Sequence, residues 1–262
     1  MITSVYSVAG NVKKINQDSV LLKTASCKAE EIALLAVCDG MGGLENGEEA
    51  SQLAALHLSR WFTTVFPYLV SEKDCKQFFI KLKNSLDVLI NKADQEIKAI
   101  NRKTGVQSGT TLTAVLIMGK TFYTVNIGDS RAYLMTEKRI EQLTKDQTYV
   151  QMLLDQGRLS KEEISRHPQR NALLQCIGAA PDLEPVYTRG YINGPAAFLV
   201  CSDGFRHLIS DREMHKALRP SAVPNEYGMQ EALARLTDLV MDRGEKDNIS
   251  AVCLKMEDEC WK

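Results

Sequence analysis

Two apolar runs that each stop at an acid followed by a glycine constrain this chain more than any other feature. EIALLAVC, residues 31–38, ends in Asp39-Gly40, and AAFLVCS, residues 196–202, ends in Asp203-Gly204. Runs of this kind read as apolar strands, and strands of this character need a sheet with another layer packed on it. Each also puts a carboxylate at a strand end. Asp-Gly after a strand is equally the residue pair of an ordinary tight turn, and either pair alone means no more than that.

The pattern repeats elsewhere. TVNIG runs into Asp129-Ser130-Arg131, and Asp247-Asn248 opens the last apolar run, so four strand ends offer acidic groups. Hard divalent cations such as Mg²⁺ and Mn²⁺ take oxygen ligands, typically one or two carboxylates each with water, and a backbone carbonyl can complete the set. A glycine after the aspartate lets the main chain come close to such an ion. The spacing by itself suggests a metal site without fixing its ligands.

Around these ends the periodicity changes several times. Apolar, β-branched segments at 2–9, 19–24 and 31–38 predict adjacent strands of one sheet. Helical spacing holds from Glu48 to Phe66, and again from Phe78 to Ile100, where Ser71 with Asp74 offers a cap. TLTAVLIM, TFYTVNIG, SRAYLM and RIEQLT then predict an antiparallel meander. Residues 147–172 read as helix, with Ser160 and Glu163 as a capping box. Strands are predicted at 173–177, 183–191, 196–201 and 248–255, and helices at 211–218 and 227–242. Strands, then paired helices, then strands again give an α+β class with mainly antiparallel sheets covered by helices. No repeat or Pro/Ser linker divides the sequence, so a single domain over 1–262 is expected.

Charge and cysteine usage narrow the function. Lys and Arg number 32 against 33 for Asp and Glu, a net charge of −1, which argues against nucleic acid or an anionic membrane as the main partner. The seven cysteines include no CxxC pair and read as reduced thiols of a cytoplasmic protein. No apolar run approaches the ~20 residues that span a bilayer, and the N-terminal stretch lacks a secretory leader pattern. Neither a P-loop nor a GxGxxG fingerprint is present, and there is no CxxxxxR phosphatase loop.

Eight ordered blocks carry a specific resemblance: GNVKKINQDS at 10–19, VCDGMGG at 37–43, SGTTLTAVLI at 108–117, NIGDSRAYL at 126–134, QLTKDQT at 142–148, HPQRNALLQCIG at 167–178, CSDGF at 201–205 and DNISAV at 247–252. Through them the chain resembles the PPM family, the metal-dependent protein phosphatases of the 2C type, in its compact bacterial form. The resemblance implies a central β-sandwich of two mainly antiparallel sheets flanked by pairs of antiparallel helices (α-β-β-α), with a flap near 147–176. It implies two Mn²⁺ or Mg²⁺ ions at one end of the sandwich, with room for a third. Asp39 would bridge the pair, the Gly40 carbonyl would reach the second ion, Asp203 and Asp247 would hold the first, and Asp18 would act through water. Asp129 would be the ligand of the third ion. Catalysis would rest on Asp39 and Asp203, because two bridged dications lower the pKa of a shared water and neutralise phosphoryl charge during in-line attack.

The implied activity is hydrolysis of phosphoserine and phosphothreonine on proteins, reversing a bacterial Ser/Thr kinase, with that kinase and its substrates as partners and a monomeric chain. Some positions depart from the family pattern. Lys13 stands where a phosphate-binding arginine is usual, exchanging a guanidinium fork for a point charge. Gln17 replaces a glutamate, Gln147 a histidine, and Met41 the general-acid histidine of animal relatives. None of His57, His167, His207 or His215 is assigned as proton donor. Two other readings remain open at this point: a catalytically silent phosphatase-like binding module, and a metal-dependent hydrolase of small phosphate esters.

Overall fold

The structure, a computed structural model, describes residues 1–27, 30–42, 46–70, 74–164 and 166–256. The chain runs β1 (Ile2–Val8), β2 (Asp18–Cys27), β3 (Glu30–Gly42), α1 (Asn46–Thr64), α2 (Phe66–Leu69) and α3 (Cys75–Thr104). It continues through β4 (Ser108–Thr110), β5 (Leu112–Met118), β6 (Thr121–Ile127), β7 (Arg131–Met135), β8 (Ile140–Gln142), α4 (Tyr149–Asp155) and α5 (Lys161–Ile164). The remainder is β9 (Val186–Tyr191), β10 (Ala196–Cys201), α6 (Asp203–Arg206), α7 (Asp211–Leu218), α8 (Glu226–Asp242) and β11 (Ile249–Met256). One sheet has the order β2-β3-β5-β6-β9, with β4 also pairing on β3; the other has the order β1-β11-β10-β7-β8. The named strand pairs are antiparallel.

Period-two alternation explains why two sheets stack. Along β3, Ile32, Leu34, Ala36 and Cys38 pack toward α1 and α3, while Ala33, Leu35 and Val37 face the other sheet. Along β10, Ala197, Leu199 and Cys201 pack toward α7 and α8, while Phe198 and Val200 meet the opposite sheet. Both faces of each strand are therefore buried, and the layers are helix, sheet, sheet, helix, as the α+β expectation required. Each fully buried Leu or Phe in these layers contributes about 1.5–3 kcal/mol relative to exposure.

Local chemistry fixes the helix ends. Asp74 is the N-cap of α3, its Oδ1 accepting from the backbone N–H of Lys76 (2.7 Å) and Gln77 (2.9 Å). The proposed partner Ser71 lies outside the described residues. Gly105 closes the same helix with φ +73°. Ser210 and Glu213 form a full capping box on α7.

Several expectations are corrected. β1 does not lie beside β2 in one sheet; it pairs with β11 in the other, Ile2 opposite Lys255 and Val8 opposite Ile249. The predicted meander divides into two hairpins, β5-β6 in one sheet and β7-β8 in the other, with Gly128-Asp129-Ser130 crossing between them. Residues 173–177 form no strand and contribute isolated bridges only, Thr148 with Leu173 and Thr110 with Ile177. The stretch 147–172 is two short helices, α4 and α5, rather than one. At Ser160 the backbone N–H and hydroxyl both donate to Glu163 Oε2 (2.9 and 2.7 Å), so the box is formed from one direction.

Candidate metal centre

The apolar layer between the sheets ends, on one edge of the sandwich, in polar groups. Asp39 continues the series Ala33, Leu35, Val37, and Asp18 continues Leu22, Val20; both therefore point into the inter-sheet space. Asp18 and Asp39 are register partners across β2 and β3. Ser202 follows Phe198 and Val200 in the same sense, and Ser250 precedes Val252 and Leu254.

Main-chain contacts hold each acid in place. The Asp39 N–H donates to Thr111 Oγ1 (2.9 Å), and its carbonyl accepts from Thr111 N–H (2.9 Å) and Thr110 Oγ1 (3.0 Å). Gly40 admits no side chain: a Cβ there would lie 2.1 Å from the Gly47 carbonyl oxygen and 2.4 Å from that of Gln17. On the other sheet, a Cβ at Gly204 would lie 2.2 Å from the Asn248 carbonyl oxygen, so the start of α6 is pressed against the entrance to β11. That close approach brings Asp203 within electrostatic reach of Asp247.

Asn248 ties the two halves together. Its Oδ1 accepts from Gln17 N–H (2.9 Å), and its Nδ2 donates to the carbonyls of Ala9 (3.1 Å) and Ile15 (3.0 Å). The loop that precedes Asp18 is thus fastened to the segment that carries Asp247. Within that loop, Lys13 Nζ lies 3.0 Å from Asp247 Oδ1, so the predicted phosphate contact stands beside the acids.

Asp18 and Asp129 are buried, while Asp39, Asp203 and Asp247 are partly open to solvent. Burial, reinforced by neighbouring carboxylates, pushes Asp18 and Asp129 up to about 7 and raises Asp203. Asp39 is raised well above the usual carboxylate range, chiefly because protein atoms surround it although part of it faces the opening, and then by the charges of Asp18 and Asp203. Both carboxylate oxygens of Asp18 lack a hydrogen-bond partner among the described residues. The hydroxyls of Ser250 and Ser202 lower its pKa in part. Their closed hydrogen bonds lie elsewhere, Ser250 Oγ to Ser7 Oγ (2.8 Å) and Ser250 N–H to Ser202 Oγ (3.0 Å).

A buried acid without a donor, Asp18, beside Asp39, Asp129 and Asp203, which burial and neighbouring carboxylates raise with it, is a donor set that a hard cation satisfies. The residues fit such a group. Among the described residues no group of three or more His, Cys, Asp or Glu side chains is gathered closely enough to hold a metal ion by itself, so a cation here would draw on water and backbone oxygen as well.

The histidines are engaged in other ways. His57 Nε2 meets Glu96 Oε2 (2.9 Å), and His215 Nε2 lies 2.8 Å from the Thr136 carbonyl. His167 Nδ1 accepts from Gln169 N–H (3.1 Å). His207 Nδ1 stands 3.6 Å from Glu245 Oε2, which raises its pKa. Met41 is exposed at 41%, and the Cys176 thiol donates to its sulfur at 3.2 Å. Burial pushes the thiols of Cys176, Cys201 and Cys253 up to about 12, away from thiolate chemistry, and Cys260 lies outside the described residues.

Two residues beside the site had no assignment from sequence. Asp146 receives a bidentate contact from Arg131, Nε to Oδ1 and Nη2 to Oδ2, both 2.7 Å. Arg206 donates to the Asp129 carbonyl (2.9 Å) and to Asp146 Oδ2 (3.3 Å). Gln147 pins the crossover, its Oε1 accepting from Gly128 N–H (2.7 Å). The KDQ run signalled an acid in this region, whereas the inward turn of Arg206 depends on tertiary packing.

A two-sheet sandwich with helices on both faces thus carries a cluster of aspartates at one edge, with both carboxylate oxygens of Asp18 lacking a partner among the described residues. The family model described as Protein phosphatase 2C matches residues 11–248, and the chain belongs to that family. It is 33% identical over 251 residues to the serine/threonine protein phosphatase PstP of Mycobacterium tuberculosis, covering 95% of this chain and 44% of that protein. The chain thus spans less than half the length of this relative. It is 30% identical over 230 residues to a putative 2C-type protein phosphatase of Streptococcus pyogenes, covering 87% of each. The crystal structure of the mycobacterial phosphatase superposes with a TM-score of 0.77 at 33% identity, over 96% of both chains. A structure of the PstP catalytic domain in complex with 2 manganese ions gives 0.76 at 31% identity, over 97% of this chain and 98% of that one.

Proposed function

We propose that the chain is a metal-dependent protein-serine/threonine phosphatase that hydrolyses phosphoserine and phosphothreonine on proteins, opposing a Ser/Thr kinase. The observation that carries the reading is the cluster of aspartates at one edge of the sandwich, in which burial and neighbouring carboxylates raise Asp18 and Asp39 and both oxygens of Asp18 are unpartnered among the described residues. Asp39, Asp203, Asp247 and the Gly40 carbonyl would hold two Mn²⁺ or Mg²⁺ ions, with Asp18 acting through water. When bound, these ions supply a nucleophile from water near neutral pH and neutralise charge on the phosphoryl oxygens.

The chain's own residues do the rest. The Thr110 and Thr111 contacts fix the direction of Asp39 from the backbone, so the acid that would bridge the ions does not depend on a flexible stem. Lys13 supplies a mobile positive charge at the rim for a phosphoryl oxygen, and Asn248 sets its distance from Asp247 by fastening the loop. Residues 147–176 act as a flap beside the site. The chain works as a single domain over 1–262, as a monomer in the cytoplasm. No helix among the described residues is long and apolar enough to cross a membrane.

The retained acids weigh against a silent binding module, because a buried carboxylate without a partner, as at Asp18, destabilises a fold that has no cation to bind. The test measures phosphate release from p-nitrophenyl phosphate and from phosphothreonine, phosphoserine and phosphotyrosine peptides under Mn²⁺. Turnover is expected on the phosphothreonine and phosphoserine peptides, and EDTA or Asp39→Asn should abolish it. Well-folded protein without metal-dependent turnover would sink the enzyme reading. Turnover confined to p-nitrophenyl phosphate would favour a small-ester hydrolase.

A further inference from the structure

We propose that the outer edge of β9 is a docking site for an extended, acidic segment of another protein, which adds to the sheet as one more antiparallel strand. This surface lies apart from the aspartate cluster, and its binding does not depend on the phosphatase reading.

β9 ends its sheet, with β6 on one side and no strand on the other among the described residues. Ile192 N–H donates to the Lys120 carbonyl at 2.8 Å, and the register continues from Thr121 opposite Tyr191 to Asn126 opposite Val186. Residues 186, 188 and 190 therefore turn their main-chain groups toward β6, while Tyr187, Arg189 and Tyr191 turn theirs outward. No hydrogen bond meets those outward N–H and C=O groups among the described residues. The edge is open as well: Arg189 is exposed, Tyr191 is 65% exposed and Val186 43%. Past Tyr191 it leads into a groove of about 460 Å³ beside Glu137, Lys138 and Arg139, so a chain laid along β9 has room to continue. An edge of this kind is a template for a further strand.

Charge selects what pairs there. The side chains at 187, 189 and 191 lie on the α3 face of the sheet. On that face Lys83 Nζ stands 5.5 Å from the centre of the Tyr187 ring, and the Arg189 guanidinium carbon 5.4 Å from that of Phe79. Asp87, one turn along α3 from Lys83, accepts from the Tyr187 hydroxyl (2.6 Å), and neither cation forms an ion pair among the described residues. A second copy is a poor occupant. Antiparallel self-pairing that uses all three outward residues sets Arg189 against Arg189, and like charges directly opposite destabilise a strand pair. The same two cations favour a strand with carboxylates at alternate positions, opposite Tyr187 and Arg189, because directly opposed residues share a face. Opposite Tyr191 a β-branched or aromatic residue would pair with the exposed ring. Antiparallel pairing is the more stable direction and continues that of the sheet. From its N-terminus the segment therefore carries a β-branched or aromatic residue, then acids two and four positions later.

The experiment titrates the full chain into fluorescein-labelled TVTETET amide, read by fluorescence anisotropy, and follows the main-chain amides by NMR hydrogen exchange. Saturable binding is expected, with slowed exchange at the amides of Tyr187, Arg189 and Tyr191. The peptide with lysine in place of both glutamates should bind about tenfold more weakly or worse. N-methylation of the first glutamate's main-chain nitrogen, which would face Arg189, should also cost about tenfold, since it removes a ladder hydrogen bond and leaves the charge in place. The double variant Lys83→Glu, Arg189→Glu should invert the preference, taking the lysine peptide and losing the glutamate one. Both positions are exposed, and a thermal melt checks the fold. If the double variant does not fold, Arg189→Gln takes its place, with the glutamate peptide expected to weaken about threefold or more. No saturable binding up to about 1 mM peptide, unaltered exchange at the three amides, equal binding of the N-methylated peptide, or a preference unchanged in the folded variant overturns the inference. So does a concentration-dependent dimer in analytical ultracentrifugation whose β9 amides are protected without peptide, which would make a second copy the occupant.

Discussion

Lys13 Nζ sits 3.0 Å from Asp247 Oδ1, so the residue proposed to contact phosphate is already tethered to one of the acids. Both side chains are about two-fifths exposed, which limits the pair's contribution to stability to about 0–1 kcal/mol. Its significance is positional. A cation that engages Asp247 competes for the same carboxylate and leaves the ammonium free to meet a phosphoryl oxygen.

Lys13→Ala should therefore fold normally and lose substrate affinity. We expect kcat/KM for a phosphothreonine peptide to fall roughly ten- to a hundredfold, ~1.4–2.7 kcal/mol, mostly through KM. Lys13→Arg should retain or improve binding, because the fork suits phosphate. Steady-state kinetics decide the matter: an Ala variant with unchanged KM would mean that Lys13 is a solvated loop residue.

Asn248→Ala should be strongly destabilising for a residue with so small a side chain. At 4% exposure it satisfies Gln17 N–H and the carbonyls of Ala9 and Ile15, all in one loop. Removing it strands these groups, at about 1–3 kcal/mol for each that water cannot reach. Urea denaturation of the metal-free protein should show a loss of about 2–4 kcal/mol. A loss below about 0.5 kcal/mol, the range of ordinary surface substitutions, would show that the loop is not held by this residue.

How much of this was legible in the sequence differs between the two sheets and the site. The alternation along β3 and β10 shows in EIALLAVC and AAFLVC, and the acids Asp39 and Asp203 follow from where those runs stop. Which sheet a strand joins does not show. Ile2–Val8 pairs with Ile249–Met256 at the far end of the chain, and no local pattern records a partner at that distance. The break at Gly128-Asp129-Ser130 was equally hidden, since an alternating apolar pattern serves a meander and a change of sheet alike. There a Cβ on Gly128, at φ +101°, would meet Thr111 Cγ2 at 2.5 Å, a constraint visible only in three dimensions. Arg206 carries no sequence assignment for a related reason: an arginine at the end of a short helix is ordinary until Asp146 and the Asp129 carbonyl are found beside it.

Gly40→Ala should be among the most damaging single changes in the chain. The added methyl would run into two backbone carbonyl oxygens, of Gly47 and Gln17, and neither is the end of a flexible side chain that could swing away. Relief requires β3 to part from the loop before β2, where Gly40 N–H donates to the Gln17 carbonyl at 3.1 Å. We expect a loss of more than about 3 kcal/mol, or no soluble protein. Wild-type stability in thermal and urea melts would mean that the two segments separate easily and that Asp18 and Asp39 are not rigidly registered.

The raised acids make a prediction about pH. Asp18 and Asp129 titrate at about 7 in the folded chain against an ordinary value of 3.8, first because they are buried. A group raised in this way favours the folded state fully below its unfolded value, and the advantage is lost as pH rises through the folded value. Metal-free protein should therefore lose stability from these groups between about pH 4 and 7, as the protons that mask the buried charges are removed. Saturating Mn²⁺ should oppose that loss, so the rise in Tm on adding metal should be larger at pH 7.5 than at pH 5.5. Asp18→Asn removes a buried charge that has no hydrogen-bond partner among the described residues. It should raise the Tm of metal-free protein at pH 7.5 and shrink the increment given by Mn²⁺. Differential scanning fluorimetry across this range reads both effects. A metal increment that is independent of pH, together with an Asp18→Asn variant less stable than the wild type without metal, would mean that the acids are stabilised by the fold itself and are not poised for a cation.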